Sequence, residues 1–113
     1  MDCIFCKIAA GQIPAKKVFE DGEIVAFRDI NPVAPTHVLI IPREHIETIN
    51  DLEPGHAAIV GRLHLAAREL ARQEGLAERG YRLVFNCGPE AGQAVFHIHL
   101  HLIGGRKLSW PPG

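Results

Sequence analysis

The period of the apolar positions changes several times along this chain, and each change marks an element. Ile4 to Ala10 reads as a short helix stopped by Gly11, a residue that tolerates the left-handed turn common after a helix. Two short strands follow, Lys17 to Glu20 and Glu23 to Arg28, with Asp21-Gly22 between them as an antiparallel hairpin signal. Asn31-Pro32 and Ala34-Pro35 make the next stretch a loop, because the residue before proline is pushed out of helical geometry. His37 to Ile41 is continuously aliphatic after its first residue and ends at Pro42, as expected of a strand buried on both faces. From Pro54 to Glu74 the apolar residues Ile59, Val60, Leu63, Ala66, Ala67, Leu70 and Ala71 recur at helical spacing, and Gly75 closes the helix. Tyr81 to Asn86 is a further strand, Gly88 to Gly92 a turn, and Ala94 to Ile103 the last strand. The tail from Gly104 to Gly113 is too rich in Gly and Pro for a regular element.

A length of 113 residues suits one domain with one core, so residues 1–113 are read as a single domain. Composition agrees: 47% of residues are apolar and 22% charged, far from the signature of disorder. A net charge of −1 supplies no basic field to draw the chain to nucleic acid. No apolar run approaches a membrane span, and the start Met1-Asp2-Cys3 does not resemble an export signal, so a cytoplasmic location is expected.

The last strand brings in chemistry. In Phe96-His97-Ile98-His99-Leu100-His101-Leu102-Ile103 histidine and aliphatic residues alternate strictly. A strand would therefore project three imidazoles from one face and Ile98, Leu100 and Leu102 from the other. Imidazoles this close repel one another when charged, which favours neutral rings that serve as nucleophile, metal ligand or hydrogen-bond partner. Gly88, Gly92 and Gln93 precede the strand, and a turn with glycines lets backbone amides approach an anion. A neutral imidazole attacks phosphorus well, and the phosphohistidine is labile to water. The alternative is a histidine-rich surface strand or an isolated metal site. Clustered carboxylates of the kind that hold Mg²⁺ are missing from the sequence around it.

Of three cysteines, Cys87 stands alone and reads as a small buried or half-buried residue. Cys3 and Cys6 have the spacing that holds one Zn²⁺, given two further ligands. His45 and His97 are the candidates for those, and such a site would pin the first helix to the sheet. A loose or redox-active thiol pair is the other reading, though a thioredoxin-like pair should follow a strand. His56 and His64, on or near the long helix, are assigned no chemistry.

Together these residues resemble the histidine-triad family, whose motif of His, apolar, His, apolar, His and two apolar residues is met at every position from His97 to Ile103. The resemblance extends through Ile13-Pro14-Ala15-Lys16, Phe27-Arg28-Asp29-Ile30, Ala34-Pro35-Thr36-His37, Gly104-Gly105-Arg106 and Trp110-Pro111-Pro112-Gly113, which are similar to the nucleotide-binding branch of that family. It implies an α+β fold, a five-stranded antiparallel sheet with one long and one short helix, and a homodimer formed through the long helix and the tail. It also implies a purine nucleoside phosphoramidase working through a nucleotidyl-histidine. Carried over, His99 matches the nucleophile and His101 the neighbour contacting the phosphoryl and leaving groups. Asn86 and Gln93 match phosphate-pocket residues, and His37 a supporting histidine. Asp29 matches the carboxylate on the ribose hydroxyls. Phe5, Ile8, Phe27 and Ile30 match the base slot, and Trp110 would reach the neighbouring protomer's site. Cys3, Cys6, His45 and His97 match the zinc ligands of those relatives that carry zinc. Ala94 departs from the pattern, standing where many members of the branch have Ser.

Two other functions fit the same pocket. One is dinucleoside polyphosphate hydrolysis, against which the Trp-Pro-Pro-Gly ending argues. The other is a nucleotide-binding or partner-regulating module whose catalysis is incidental.

Overall fold

The computed structural model describes residues 2–113. Helix α1 (Ile4–Ala9) leads into strands β1 (Lys17–Glu20), β2 (Ile24–Arg28) and β3 (Thr36–Pro42). Two 3-10 turns, Ile49–Asp51 and Pro54–His56, precede the long helix α2 (Ala57–Gln73), and β4 (Tyr81–Val84) and β5 (Leu100–Gly104) complete the fold. The five strands form one antiparallel sheet in the order β1-β2-β3-β5-β4, the α+β architecture expected.

Alternation along the strands divides the interior into two layers. Ile24, Ala26, Val38, Ile40, Leu100 and Leu102 face α2, where Leu63, Ala67, Leu70 and Ala71 supply the opposing stripe. Val25, Phe27, Leu39 and Ile41 face the other way, toward Cys3, Phe5 and Ile8 of the α1 segment. The central strands are thus buried on both faces, which is why β3 carries an unbroken aliphatic run. The second face is only partly covered by a six-residue helix, and the site occupies the remainder.

Boundaries differ from the sequence reading in instructive ways. The hairpin turn starts β2 at Ile24 because the Asp21 carboxylate accepts from the amides of Glu23 and Ile24 at 2.8 and 2.9 Å. β4 ends at Val84 rather than Asn86. The larger correction concerns Ala94 to Ile103: only Leu100 onward joins the ladder. The cause lies across the sheet at Pro42, the residue that would continue the pairing beyond Ile40 and Leu100. Proline has no N–H to give. Its carbonyl accepts from the His97 ring at 2.7 Å, and the Ile98 amide donates instead to Ile46 O at 2.8 Å.

Candidate active site and metal centre

Although residues 94–99 leave the ladder, the three histidines keep one face, while Ile98, Leu100 and Leu102 enter the α2 core. The Phe5 ring stands edge-on to His97 and His99, with centroids 6.0 and 5.0 Å away, and the His99 and His101 rings are 5.0 Å apart. His99 and His101 line a cavity of about 550 Å³ together with Phe5, Ile8, Phe27, Asp29, Ile30, His37 and Asn86. Gly92, Ala94, Val95, Leu39, Ile13 and Pro14 also reach it; Val95 and Leu39 carry no signal in the sequence beyond their apolar character. Their apolar character sums to a slot on one side of the imidazoles, with the Asp29 carboxylate at its rim.

Hydrogen bonds fix where each proton sits. The His99 Nδ1 lies 2.8 Å from the carbonyl of His97, so Nδ1 carries the proton and Nε2 keeps its lone pair. The Val33 amide donates to His37 Nδ1 at 3.1 Å, which places the His37 proton on Nε2. That proton faces His101 Nδ1 at 2.9 Å, with Asp29 Oδ2 further off at 3.4 Å. In a neutral His101 the proton is then on Nε2, a buried atom with no partner among the described residues. A buried donor without an acceptor is costly, and this one belongs to the cavity wall.

Electrostatics keep these rings neutral. Burial pushes the pKa of His99 down, against the opposing effect of its bond to the His97 carbonyl. Burial lowers that of His37 as well, with Asp29 acting the other way. For His101, burial together with the neighbouring His99 and His37 brings it down to about 4. At neutral pH the site therefore offers one imidazole lone pair and one imidazole N–H side by side.

Two expected residues stand elsewhere. Gln93 is buried, and its side chain accepts from the Gly88 amide at 2.9 Å and donates to Glu47 O and Val95 O at 2.7 and 3.2 Å. It is absent from the cavity lining and instead staples the Gly88 to Val95 loop that carries Ala94. Trp110 is 80% exposed on the tail and away from this chain's own cavity. The tail is held to β4 by Arg82 donating to Ser109 O at 3.0 Å.

Beside the cavity, Cys3, Cys6, His45 and His97 converge, with one donor atom of each within 4.8 Å of the others. His97 is fully buried and donates Nε2–H to Pro42 O, leaving a lone pair on Nδ1. That atom lies 3.4 Å from Cys3 Sγ, 3.6 Å from Cys6 Sγ and 3.3 Å from His45 Nδ1. The Cys6 Sγ to His45 Nδ1 distance is 3.3 Å. A tetrahedral zinc with bonds of about 2.0–2.1 Å to nitrogen and about 2.3 Å to sulfur spaces its ligands by about 3.3–3.8 Å, so the donor set fits that ion. The bond from His97 to a backbone carbonyl is the outer contact that orients a ligating imidazole. Cys87 is half-buried and outside both groups, and the two helix-region histidines make ordinary bonds, His56 to Glu44 and His64 to Val60 O.

Comparison with known proteins agrees with this geometry. A HIT domain profile matches residues 10–108. The adenylylsulfatase HINT1 of Arabidopsis thaliana is 51% identical over 112 residues, covering 97% of this chain and 76% of that protein. A 14 kDa zinc-binding protein of Brassica juncea is 49% identical over 114 residues, covering 99% of this chain and all of that one, 100%. The crystal structure of a HIT family hydrolase from Legionella pneumophila Philadelphia 1 superposes with a TM-score of 0.98 at 58% identity, covering 99% of this chain and 100% of that one. With the triad, the fold and the sequence match over nearly its whole length in accord, this chain belongs to the HIT, or histidine-triad, family.

Proposed function

We propose that the protein is a purine nucleoside phosphoramidase that cleaves the bond between a nucleoside 5′-phosphoryl group and an amine, with His99 as nucleophile. The observation that carries this reading is the pairing of opposite tautomers: a lone pair on His99 Nε2 beside a proton on His101 Nε2. In the first step His99 Nε2 bonds to phosphorus and the P–N bond breaks, its electron pair leaving with nitrogen. The departing amine takes up one proton from solvent at the open cavity mouth. Attack leaves positive charge on the His99 ring, and its Nδ1–H, already bonded to the His97 carbonyl, spreads that charge. His101 Nε2–H donates to the phosphoryl oxygen that gains charge in the transition state, from a position that needs no reorganisation. Water then displaces His99 and returns one proton to solvent, so the cycle leaves the protein unchanged.

Phe5, Ile8, Phe27 and Ile30 offer the apolar slot for the base, and the Asp29 oxygens suit ribose hydroxyl donors. Asn86 lines the phosphoryl side. Gln93 acts there by holding the Gly88 to Val95 loop, and Trp110 by reaching a second protomer. Among the described residues the outer edge of β4 is unpaired, and Leu65 on α2 and Trp110 on the tail are exposed, which supports the homodimer. Cys3, Cys6, His45 and His97 hold Zn²⁺, which when bound supplies a structural cross-link between α1 and the histidine segment. A single domain of residues 1–113 carries all of these parts.

The Arabidopsis relative favours a second substrate in the same pocket, a nucleoside phosphosulfate, whose sulfate leaves without protonation. Steady-state hydrolysis of an adenosine 5′-phosphoramidate bearing a fluorescent amine tests the main reading. Turnover by the wild type is expected to vanish in His99→Ala and His99→Gly. Turnover that survives both variants would remove His99 as nucleophile, and nucleotide binding with no wild-type turnover would make the protein a binding module.

A further inference from the structure

The orientation of His101 is decided by a chain of hydrogen bonds that starts in the cavity wall and ends outside it, at Arg106. Its Nε2 carries the proton only because Nδ1 accepts from His37, and His37 donates there only because its own Nδ1 accepts from the Val33 amide. Val33 sits in the loop between β2 and β3, flanked by Pro32 and by Pro35, neither of which has an amide hydrogen to tie the loop down. Its side chain is 53% exposed and anchors nothing in the core. Beside the buried Ala34 and the amide bond to His37, the contact that fixes the Val33 peptide from outside the cavity is made by its carbonyl, which accepts from Arg106 Nε at 3.0 Å. Arg106 follows β5, and a second bond from its Nη1 to Lys107 O at 3.0 Å keeps the guanidinium in place. Gly105, at φ +97°, brings this strap so close to the loop that a Cβ there would lie 2.9 Å from Pro35 Cβ.

We propose that Arg106 is a positioning residue for the reaction: by clamping the Val33 carbonyl it keeps the Val33 amide on His37 and thereby holds His101 as an Nε2–H donor. The inference rests on the phosphoramidase reading for its kinetic consequence, but not for its structural one. Without the clamp the loop is free to withdraw the Val33 amide. His37 can then carry its proton on Nδ1, His101 must donate from its own Nδ1, and a lone pair at His101 Nε2 meets the phosphoryl oxygen.

Two measurements on Arg106→Met, an exposed side chain whose replacement leaves the core untouched, test this. Ring ¹⁵N shifts of the intact protein report each histidine tautomer without any substrate. The wild type should show His101 protonated on Nε2, and the variant a mixture, while His99 stays protonated on Nδ1. In turnover, kcat should fall by up to about tenfold, the scale of one hydrogen bond, with the affinity for AMP unchanged. The losses from Arg106→Met and His101→Ala should not multiply in the double variant, as for groups acting through one another. An unaltered His101 tautomer in Arg106→Met, or kcat losses that multiply, would overturn the proposal. If the wild type cleaves no phosphoramidate, the shifts still decide the clamp while the functional reading falls.

Discussion

The histidines of this site share a residue type and a face but not a role, and the difference comes from single backbone groups. A carbonyl at His97 makes His99 a lone-pair donor, a carbonyl at Pro42 turns His97 toward the thiols, and an amide at Val33 sets the polarity of the His37 and His101 pair. The alternation from His97 to His101 was legible in the sequence because side-chain period survives even where ladder pairing does not. The tautomers were not legible, since each partner is a main-chain atom, and main-chain atoms carry no residue identity. The same holds for Gln93, whose nearness to the triad in sequence suggested a phosphate contact while its amide is consumed by Gly88, Glu47 and Val95. A consequence for stability follows from His101. Its pKa is about 4 in the folded protein and about 6.5 in an unfolded chain, so between those values the unfolded state binds more protons. Stability from this source is complete above pH 6.5 and declines as pH falls toward 4. Denaturant midpoints measured across that window should fall less steeply for His101→Gln than for the wild type, and equal slopes would refute the assignment of a neutral buried ring.

At the scale of elements, the sequence described the helices and the first three strands closely and the last strand poorly. Apolar periodicity locates α2 because burial of Leu63, Ala67, Leu70 and Ala71 depends on it directly. The ladder of β5 depends instead on a residue far away in sequence, Pro42, whose missing N–H releases residues 94–99 to form the wall shared by the cavity and the cysteine cluster. The arrangement joins two sites through one short helix. Cys3, which caps α1, and Cys6 within it join the cluster while Phe5 and Ile8 line the cavity, and Arg43 fastens the helix end by donating to Ala9 O at 2.6 Å. Six residues do not hold a helix by propensity alone, because nucleation costs more than so few hydrogen bonds return. On the proposed zinc site, treatment with a strong chelator should therefore lower the melting temperature by about 5 °C or more and weaken AMP binding together with it. Cys6→Ser should reproduce both effects and be insensitive to the chelator. A melting temperature that chelation leaves unchanged would mean that the cluster holds no stabilising metal.

For the molecule as a whole, the sheet carries one core layer under α2 and gives the opposite face of its central strands to a smaller layer under α1 and to the candidate site. No helix of the described residues is long and apolar enough to cross a membrane. The cavity combines an apolar slot, the Asp29 carboxylate and two adjacent imidazoles of opposite polarity, the parts on which the proposed transfer of a nucleotidyl group to water rests. Sequence reasoning brought these residues together because three histidines at alternate positions, a Cys-x-x-Cys and a set of family blocks all lie on the linear chain. It did not reach the clamp from Arg106 through Val33, which joins two loops 73 residues apart in sequence. The most direct test of the account is to quench the protein in alkaline denaturant during turnover of saturating adenosine 5′-phosphoramidate and to map the adduct by peptide mass. The account predicts an adenylyl group carried on His99 and lost in His99→Ala. An adenylyl group on any other side chain, or an adduct that persists in His99→Ala, would contradict it.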